Sequence, residues 1–203
     1  MEHEEVWNEI AEQWDSYKTK DISPPAKEFL KNKKGKILDL GCGSGRNFIK
    51  LTGVKFYGVD FSENMLKLAK KNAKETKIKT KLVKADAWQL PFPNNFFDYA
   101  IAVAVLHCIN EKSKRVEAIE ELNRVLKPGA RLFLTVWNKK SKRWRNKPKE
   151  IKAGWTIGDK KVYRYYYLYD FEELQEELES AGFKIVKKNF TDKARNLVLI
   201  VEK

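Results

Sequence analysis

The stretch ILDLGCGSGRN, Ile37 to Asn47, decides the fold. Three glycines, Gly41, Gly43 and Gly45, fall within five residues, directly after an apolar run that carries one acid, Asp39. An apolar strand that runs into a glycine turn leaves bare backbone at its end, where a ligand can come close. The spacing is G-x-G-x-G. The dinucleotide fingerprint has G-x-G-x-x-G, so the third glycine comes one residue early, and no Gly-Lys-Ser/Thr follows to make a P-loop. A second acid, Asp60, closes the next apolar run, 21 positions after Asp39. Nucleoside-binding α/β folds hold a ribose hydroxyl with an acid at that distance. The pattern predicts a nucleoside cofactor that need not carry phosphate.

The flanking sequence alternates. Val6, Ile10 and Trp14, with Trp7 and Ala11 alongside, repeat at helical spacing and predict an amphipathic helix over 4–18. Ser23, Pro24 and Pro25 open a second helix. Strands are predicted over KILDL, KFYGVD, TKLVKADA, FFDYAIAVAVL and RLFLTVW. Helices are predicted over RNFIKLT, over SENMLKLAKKNAKE with Ser62 as cap, and over SKRVEAIEELNRVL, which KPGA stops. A helix over 170–181 ends at Gly182, and FKIVKKNF and RNLVLIVEK read as a closing pair of strands. Such alternation means a doubly wound α/β fold, a mostly parallel sheet with helices on both faces and its ligand beyond the carboxyl ends of the strands. Residues 138–169 read as one long irregular stretch on that ligand side, where long loops tend to be functional.

Composition narrows the class. The 203 residues suit one domain, with N-terminal helices over 1–34 and a substrate-side insertion over 138–169. Hydrophobic residues make up 42% and charged residues 34%, as in a folded soluble protein, and no apolar run is long enough to cross a bilayer. The acidic N-terminal segment has no basic start followed by an apolar block, so no signal peptide is expected. Cys42 and Cys108 form neither a disulfide framework nor a zinc pattern; no metal is expected, and a reducing cytoplasm fits. The net charge is +13, from 41 Lys and Arg against 28 acids. A lysine-rich surface of a heat-adapted protein explains many charges but not the imbalance. An anionic partner does, and nucleic acid is the commonest.

Four segments, LDLGCGSG, GVDFSENML, ADAWQLPF and FDYAIAVAVLH, resemble in order the successive motifs of class I S-adenosylmethionine-dependent methyltransferases, over about residues 36–137. The resemblance implies a seven-stranded sheet with an antiparallel C-terminal strand. It implies that Asp39, Gly41, Gly43 and Gly45 surround the methionine moiety of S-adenosylmethionine, and that Asp60 accepts from the ribose hydroxyls. Phe61 and Met65 would lie near the adenine, Asp86 would accept from its amino group, and Ala87 would donate from its backbone. Ala102 and the two residues after it would line the cofactor's other side. On the residues alone, Gly45 and Cys42 could equally serve only to let helix and strand pack closely.

The fourth strand ends in AVAVLHCIN rather than the Asn-Pro-Pro-aromatic turn usual in enzymes of this class that methylate exocyclic amines. VWNEIAEQWDSY, the segment from Ile101 to Trp137, and RYYYLYDFEEL together resemble the tRNA wobble-uridine methyltransferases, which esterify 5-carboxymethyluridine to 5-methoxycarbonylmethyluridine. That family often has histidine where Cys108 and Tyr167 stand, and an arginine near Lys18. A carboxymethyl group is ionised at pH 7 and needs no general base. The protein's work is then alignment, which contributes about 7–11 kcal/mol in well-oriented reactions. The resemblance gives His107 as a positioning donor near the methyl and Arg164 and Lys18 as clamps for the carboxylate. A packed histidine and a solvated rim at Arg164 and Tyr165 are the plain alternatives.

Between Lys139 and Lys152 stand eight basic residues and one acid. Lys139, Lys140, Arg143 and Arg145 around Trp144, with Tyr165 beyond, suit phosphates and a splayed base such as an anticodon loop offers; a solvated charge run is the alternative. The family commonly works with a small zinc-binding activator, which would add beside the edge strand at 80–85. Lys81 and Lys84 on that strand could instead guard it against aggregation. Two other classes compete: a methyltransferase of a quinone, sterol or free acid, which would not need the basic stretch, and a non-catalytic RNA-binding protein.

Overall fold

The computed structural model describes residues 3–17, 21–189, 191 and 194–203. Helices α1 (His3–Tyr17) and α2 (Pro24–Leu30) precede β1 (Gly35–Leu40), β2 (Val54–Asp60), α3 (Glu63–Glu75), β3 (Thr80–Lys84) and β4 (Phe97–Val103). A 3-10 turn (Leu106–Cys108), α4 (Lys112–Val125), β5 (Leu126–Trp137), β6 (Glu150–Ile157), β7 (Lys160–Tyr167), α5 (Phe171–Ser180), β8 (Lys184–Lys188) and β9 (Asn196–Glu202) follow. Seven strands form one sheet in the order β3-β2-β1-β4-β5-β9-β8, and β9 alone runs antiparallel to its neighbours. The doubly wound sheet with an antiparallel C-terminal strand is therefore what the chain forms. Strand order reverses between β1 and β4, which is where such sheets open a crevice.

Side chains alternate across the sheet, so each strand feeds two apolar layers. Leu38, Leu40, Tyr57, Val59, Leu132 and Leu134 pack with α4 and α5 on one face. Ile37, Phe56, Ile101 and Phe133 pack with α2 and α3 on the other. A third, smaller cluster joins Val6 and Ile10 of α1 to Val162 of β7.

Three segments differ from the sequence reading. Residues 46–52 are not helical. The strands β1 and β2 lie parallel in register, so the connection must return the length of a six-residue strand, about 20 Å. Residues 46–47 continue the turns that follow the glycine loop, with Phe48 N–H donating to the Gly45 carbonyl at 3.1 Å, and 48–51 carry no regular structure. Phe48 is buried on the way, with its ring 5.5 Å from that of Phe56. Second, KPGA does not separate α4 from the fifth strand. Strand β5 begins at Leu126, directly at the helix end, and Gly129 at φ +74° sits inside a register shift.

Third, residues 138–169 are not one irregular stretch. They contain the antiparallel hairpin β6–β7, which turns at Gly158 with φ +54°. Burial alternates along β6, and Val162, Arg164 and Tyr166 of β7 face inward. The hairpin is pinned to α1: Trp155 Nε1 donates to Gln13 Oε1 at 2.8 Å, and Lys160 pairs with Glu9. Among the described residues no helix is long and apolar enough to cross a membrane.

Candidate active site

A cleft of about 710 Å³ opens where β1, β2, β3 and β4 end. Its floor is the glycine loop. Gly41 has φ +61°, and a Cβ there would come within 2.4 Å of Val105. Gly43 has φ +53°, and a Cβ there would meet nothing within 4 Å. The bare backbone at Gly43 thus faces open space, as a loop that admits a ligand requires. Gly45 lies elsewhere: its Cβ would run into the Phe48 ring at 2.8 Å, so this glycine serves close packing behind the loop.

Two acids stand at the loop. Asp60 ends β2, and its Oδ2 accepts from Gly43 N–H at 2.8 Å and its Oδ1 from Ser62 N–H at 3.0 Å. Each oxygen keeps a lone pair for a further donor, which fits two sugar hydroxyls. Burial pushes its carboxyl up to about 6, against the pull of backbone N–H groups of Ser62, Gly43 and Phe61. Asp39 is fully buried beneath the loop. Its Oδ1 accepts from Asn47 Nδ2 at 3.1 Å, while Oδ2 is buried without a partner. Burial, with the nearby Asp60 charge adding to it, pushes Asp39 up to about 7. A cationic group at the loop would offset both effects.

Asp86, Ala87, Phe61 and Met65 line the far end of the cleft. Burial raises the Asp86 carboxyl above its ordinary value. Trp88 lines it as well, under the Lys114 ammonium at 4.9 Å; sequence reasoning passed over both, for want of any pattern that marks them. Ala102 is buried within β4, and its successors Val103 and Ala104 reach the wall instead. Helix α1 forms the roof. Asn8 Oδ1 accepts from Ser62 Oγ at 2.8 Å and from Asn64 N–H at 3.1 Å, which clips α1 to the start of α3. Trp7 and Trp14 then face the cleft, and His3 stacks on Phe61 at 5.5 Å.

The residues expected to hold substrate separate into three groups. Arg164 is buried on the inner face of the hairpin, 7% exposed. Its guanidinium lies 4.9 Å from the ring centres of Trp14 and Trp155 and 5.9 Å from that of Trp7. Nη1 donates to Tyr166 Oη at 2.7 Å, Nε has no partner, and no carboxylate among the described residues pairs with it. It is no solvated rim. His107 is 1% exposed and stacks on Trp137 at 5.0 Å; burial alone depresses it to about 3, so it is a packed, neutral imidazole. Lys18 lies outside the described residues.

The basic stretch is the third group. Trp144 is not a free stacking face: it is buried, with its ring 4.8 Å from Trp137 and nearly parallel to it. Lys140 pairs with Glu172, and Lys139 Nζ donates to the Arg145 carbonyl at 2.8 Å. Arg143 and Arg145 are exposed, and Tyr165 is half-buried at the root of the hairpin. Arg115 is buried and donates from Nη1 to the Ile109 and Asn110 carbonyls, which fixes the chain after the 3-10 turn.

Residues 38–134 match the model of a methyltransferase domain. The chain is 34% identical over 158 residues to an Encephalitozoon cuniculi protein that carries a methyltransferase name, covering 74% of this chain and 70% of that one. It is 26% identical to the tRNA (carboxymethyluridine(34)-5-O)-methyltransferase of Schizosaccharomyces pombe, over 92% of this chain and 90% of that one. An Arabidopsis thaliana protein of the same name is 40% identical over half of this chain, which spans only 24% of its length. Among solved structures, a SAM-dependent methyltransferase of Methanosarcina mazei superposes with a TM-score of 0.73 at 23% identity, over 90% of this chain and 98% of that one, a likeness of fold. The matched domain and the relative that shares most of its length with this chain settle the family: the chain belongs to the S-adenosylmethionine-dependent methyltransferases, and S-adenosylmethionine is its cofactor.

Proposed function

We propose that this chain methylates tRNA, esterifying the carboxylate of 5-carboxymethyluridine at the wobble position to 5-methoxycarbonylmethyluridine. The observation that carries the reading is Arg164. A buried arginine without an acid is costly, and aromatic faces offset only part of that, about 2 kcal/mol in desolvated settings. An incoming carboxylate completes the pair, and the guanidinium fork accepts it with two parallel bonds. The names of the Schizosaccharomyces pombe and Arabidopsis thaliana relatives supply the nucleoside.

The chemistry asks little of side chains. When bound, the cofactor would supply a methyl carbon made electron-poor by its sulfonium, its sulfur leaving as a neutral thioether. The substrate carboxylate is already ionised, so no side chain need remove a proton. Asp60 would hold the ribose of the cofactor, the Gly43 backbone would lie along its methionine moiety, and Asp39 would balance its positive charge. Arg164, with Trp7 and Trp14 around it, excludes water and orients the carboxylate by its charge. His107 packs on Trp137 and Tyr166 behind the hairpin rather than carrying a proton. Strand β3 is an edge of the sheet, and a small zinc-binding activator docks there by strand addition. Lys84 on that strand is tied to Glu4 at 2.7 Å.

The experiment incubates the chain, with and without such an activator, with tRNA that bears carboxymethyluridine, then digests to nucleosides and weighs them. A gain of one methyl at that nucleoside supports the reading. Transfer to free carboxylic acids with none to tRNA sinks it.

A further inference from the structure

The hairpin has a second face that the site does not use. Residues directly opposed in an antiparallel pair point the same way. Lys152 opposes Tyr165, Gly154 opposes Tyr163, and Thr156 opposes Lys161. Near the turn this face is open, with Lys152, Gly154, Thr156, Lys161 and Tyr163 exposed, while Tyr165 further along packs against the core. Tyr163 is 52% exposed, among the three large apolar side chains left this open in the described residues. Gly154 beneath it is bare: a Cβ there would stand 3.7 Å from Tyr163 Cε1 and 3.0 Å from Lys161 Cε. The tyrosine therefore reaches across the hairpin over naked backbone while half of it stays open to solvent.

Cations frame the ring. Lys161 Nζ lies 5.5 Å from its centre, and Lys152 is exposed beside it, with no acid paired to it among the described residues. Arg143, Arg145 and Lys147, all exposed, precede the hairpin. A tyrosine shielding a cross-strand glycine is a known sheet device, but it calls for no cations around the ring. An aromatic face on a strand flanked by cations is the arrangement that stacks a base and neutralises its phosphates.

We infer that the outer face of the hairpin holds an unpaired RNA base on Tyr163, with Lys152 and Lys161 against the flanking phosphates. The inference rests on the tRNA reading and names the stacking residue that Trp144, buried on Trp137, does not supply. Tyr163 and Arg164 are consecutive and point to opposite faces, so one strand carries a base on one side and the reacting carboxylate on the other.

The test measures binding of a fluorescently labelled anticodon stem-loop RNA to the full chain, with the activator present, across a salt series. Tyr163→Ala should weaken binding about tenfold or more without changing the slope of log K against log salt. Tyr163→Trp should retain affinity. Lys152→Gln and Lys161→Gln should each lower the slope by about one. Cofactor affinity should stay at the wild-type value in all four, which certifies the fold. Wild-type binding that Tyr163→Ala leaves intact overturns this inference alone. A wild-type chain that binds no stem-loop overturns the tRNA reading and this one with it.

Discussion

Gly43 donates its backbone N–H to Asp60 Oδ2 across 2.8 Å, which ties the glycine turn after β1 to the acid at the tip of β2. The bond sets the loop and the acid proposed to hold the ribose as one unit. Asp60→Asn keeps the shape, loses the charge, and turns one acceptor into a donor aimed at a donor. Cofactor affinity should fall about 10- to 100-fold, the range for bonds to a charged group. Isothermal titration calorimetry reads it, and an unchanged Kd would remove Asp60 from the site.

Gly41 and Gly43 share a left-handed backbone but not surroundings. Gly41→Ala meets Val105 and should lower the unfolding midpoint clearly. Gly43→Ala meets nothing, so only backbone strain of about 1–2 kcal/mol applies. Its new methyl instead stands where the cofactor approaches. Thermal melts and cofactor titrations of the two variants should therefore rank them in opposite order. A Gly43→Ala chain that binds the cofactor normally would contradict the cradle.

The two acids make cofactor binding pH-dependent. Asp60 titrates near 6 and Asp39 near 7 in the free chain. A cationic, hydroxyl-bearing cofactor favours their ionised forms, so binding releases protons, and affinity should rise with pH through that window and level off above it. For stability the sign is reversed. Both acids bind protons more tightly folded than unfolded, so the stability they contribute is fully present below the unfolded value, near 4, and is lost as pH rises towards 7. Calorimetry in two buffers of different ionisation enthalpy should detect the released protons near pH 6.5. No buffer dependence would refute the shifts.

His107 runs the other way. Its folded value, about 3, lies below the unfolded 6.5, so the unfolded chain binds the extra proton between them. Stability from His107 is therefore present above 6.5 and lost as pH falls towards 3. His107→Gln should flatten that acid limb in urea melts, while the neutral-pH rate profile shows no inflection from an imidazole. An inflection near 6.5 that disappears in the variant would restore His107 to proton chemistry.

The sequence carries the strand–helix alternation, the acids and the glycine loop plainly because each depends on local rules: an apolar run, a turn, a fixed spacing. RNFIKLT is a fair helix by pattern, yet the chain is irregular there, with Phe48 buried behind the glycine loop. The hairpin was written in Gly158 and the alternation of β6, but its basic residues read as a charge run. Arg164 is buried because the hairpin register turns its face toward α1, and Trp144 because the turn before the hairpin lays it on Trp137 of β5; only the folded chain states either. Trp7 and Trp14 looked like ordinary core positions on a helix, and their place over the cleft depends on Asn8 clipping that helix to α3.

Arg164 as the cation for the substrate carboxylate is the central claim, and methyl transfer by Arg164→Met to carboxymethyluridine-bearing tRNA tests it most directly. Removing one partner of a buried charge pair costs about 2–5 kcal/mol, so kcat/KM should drop about 30-fold or more. Cofactor affinity should hold within about twofold by the same reasoning of separate sites. Turnover equal to the wild type would contradict the account.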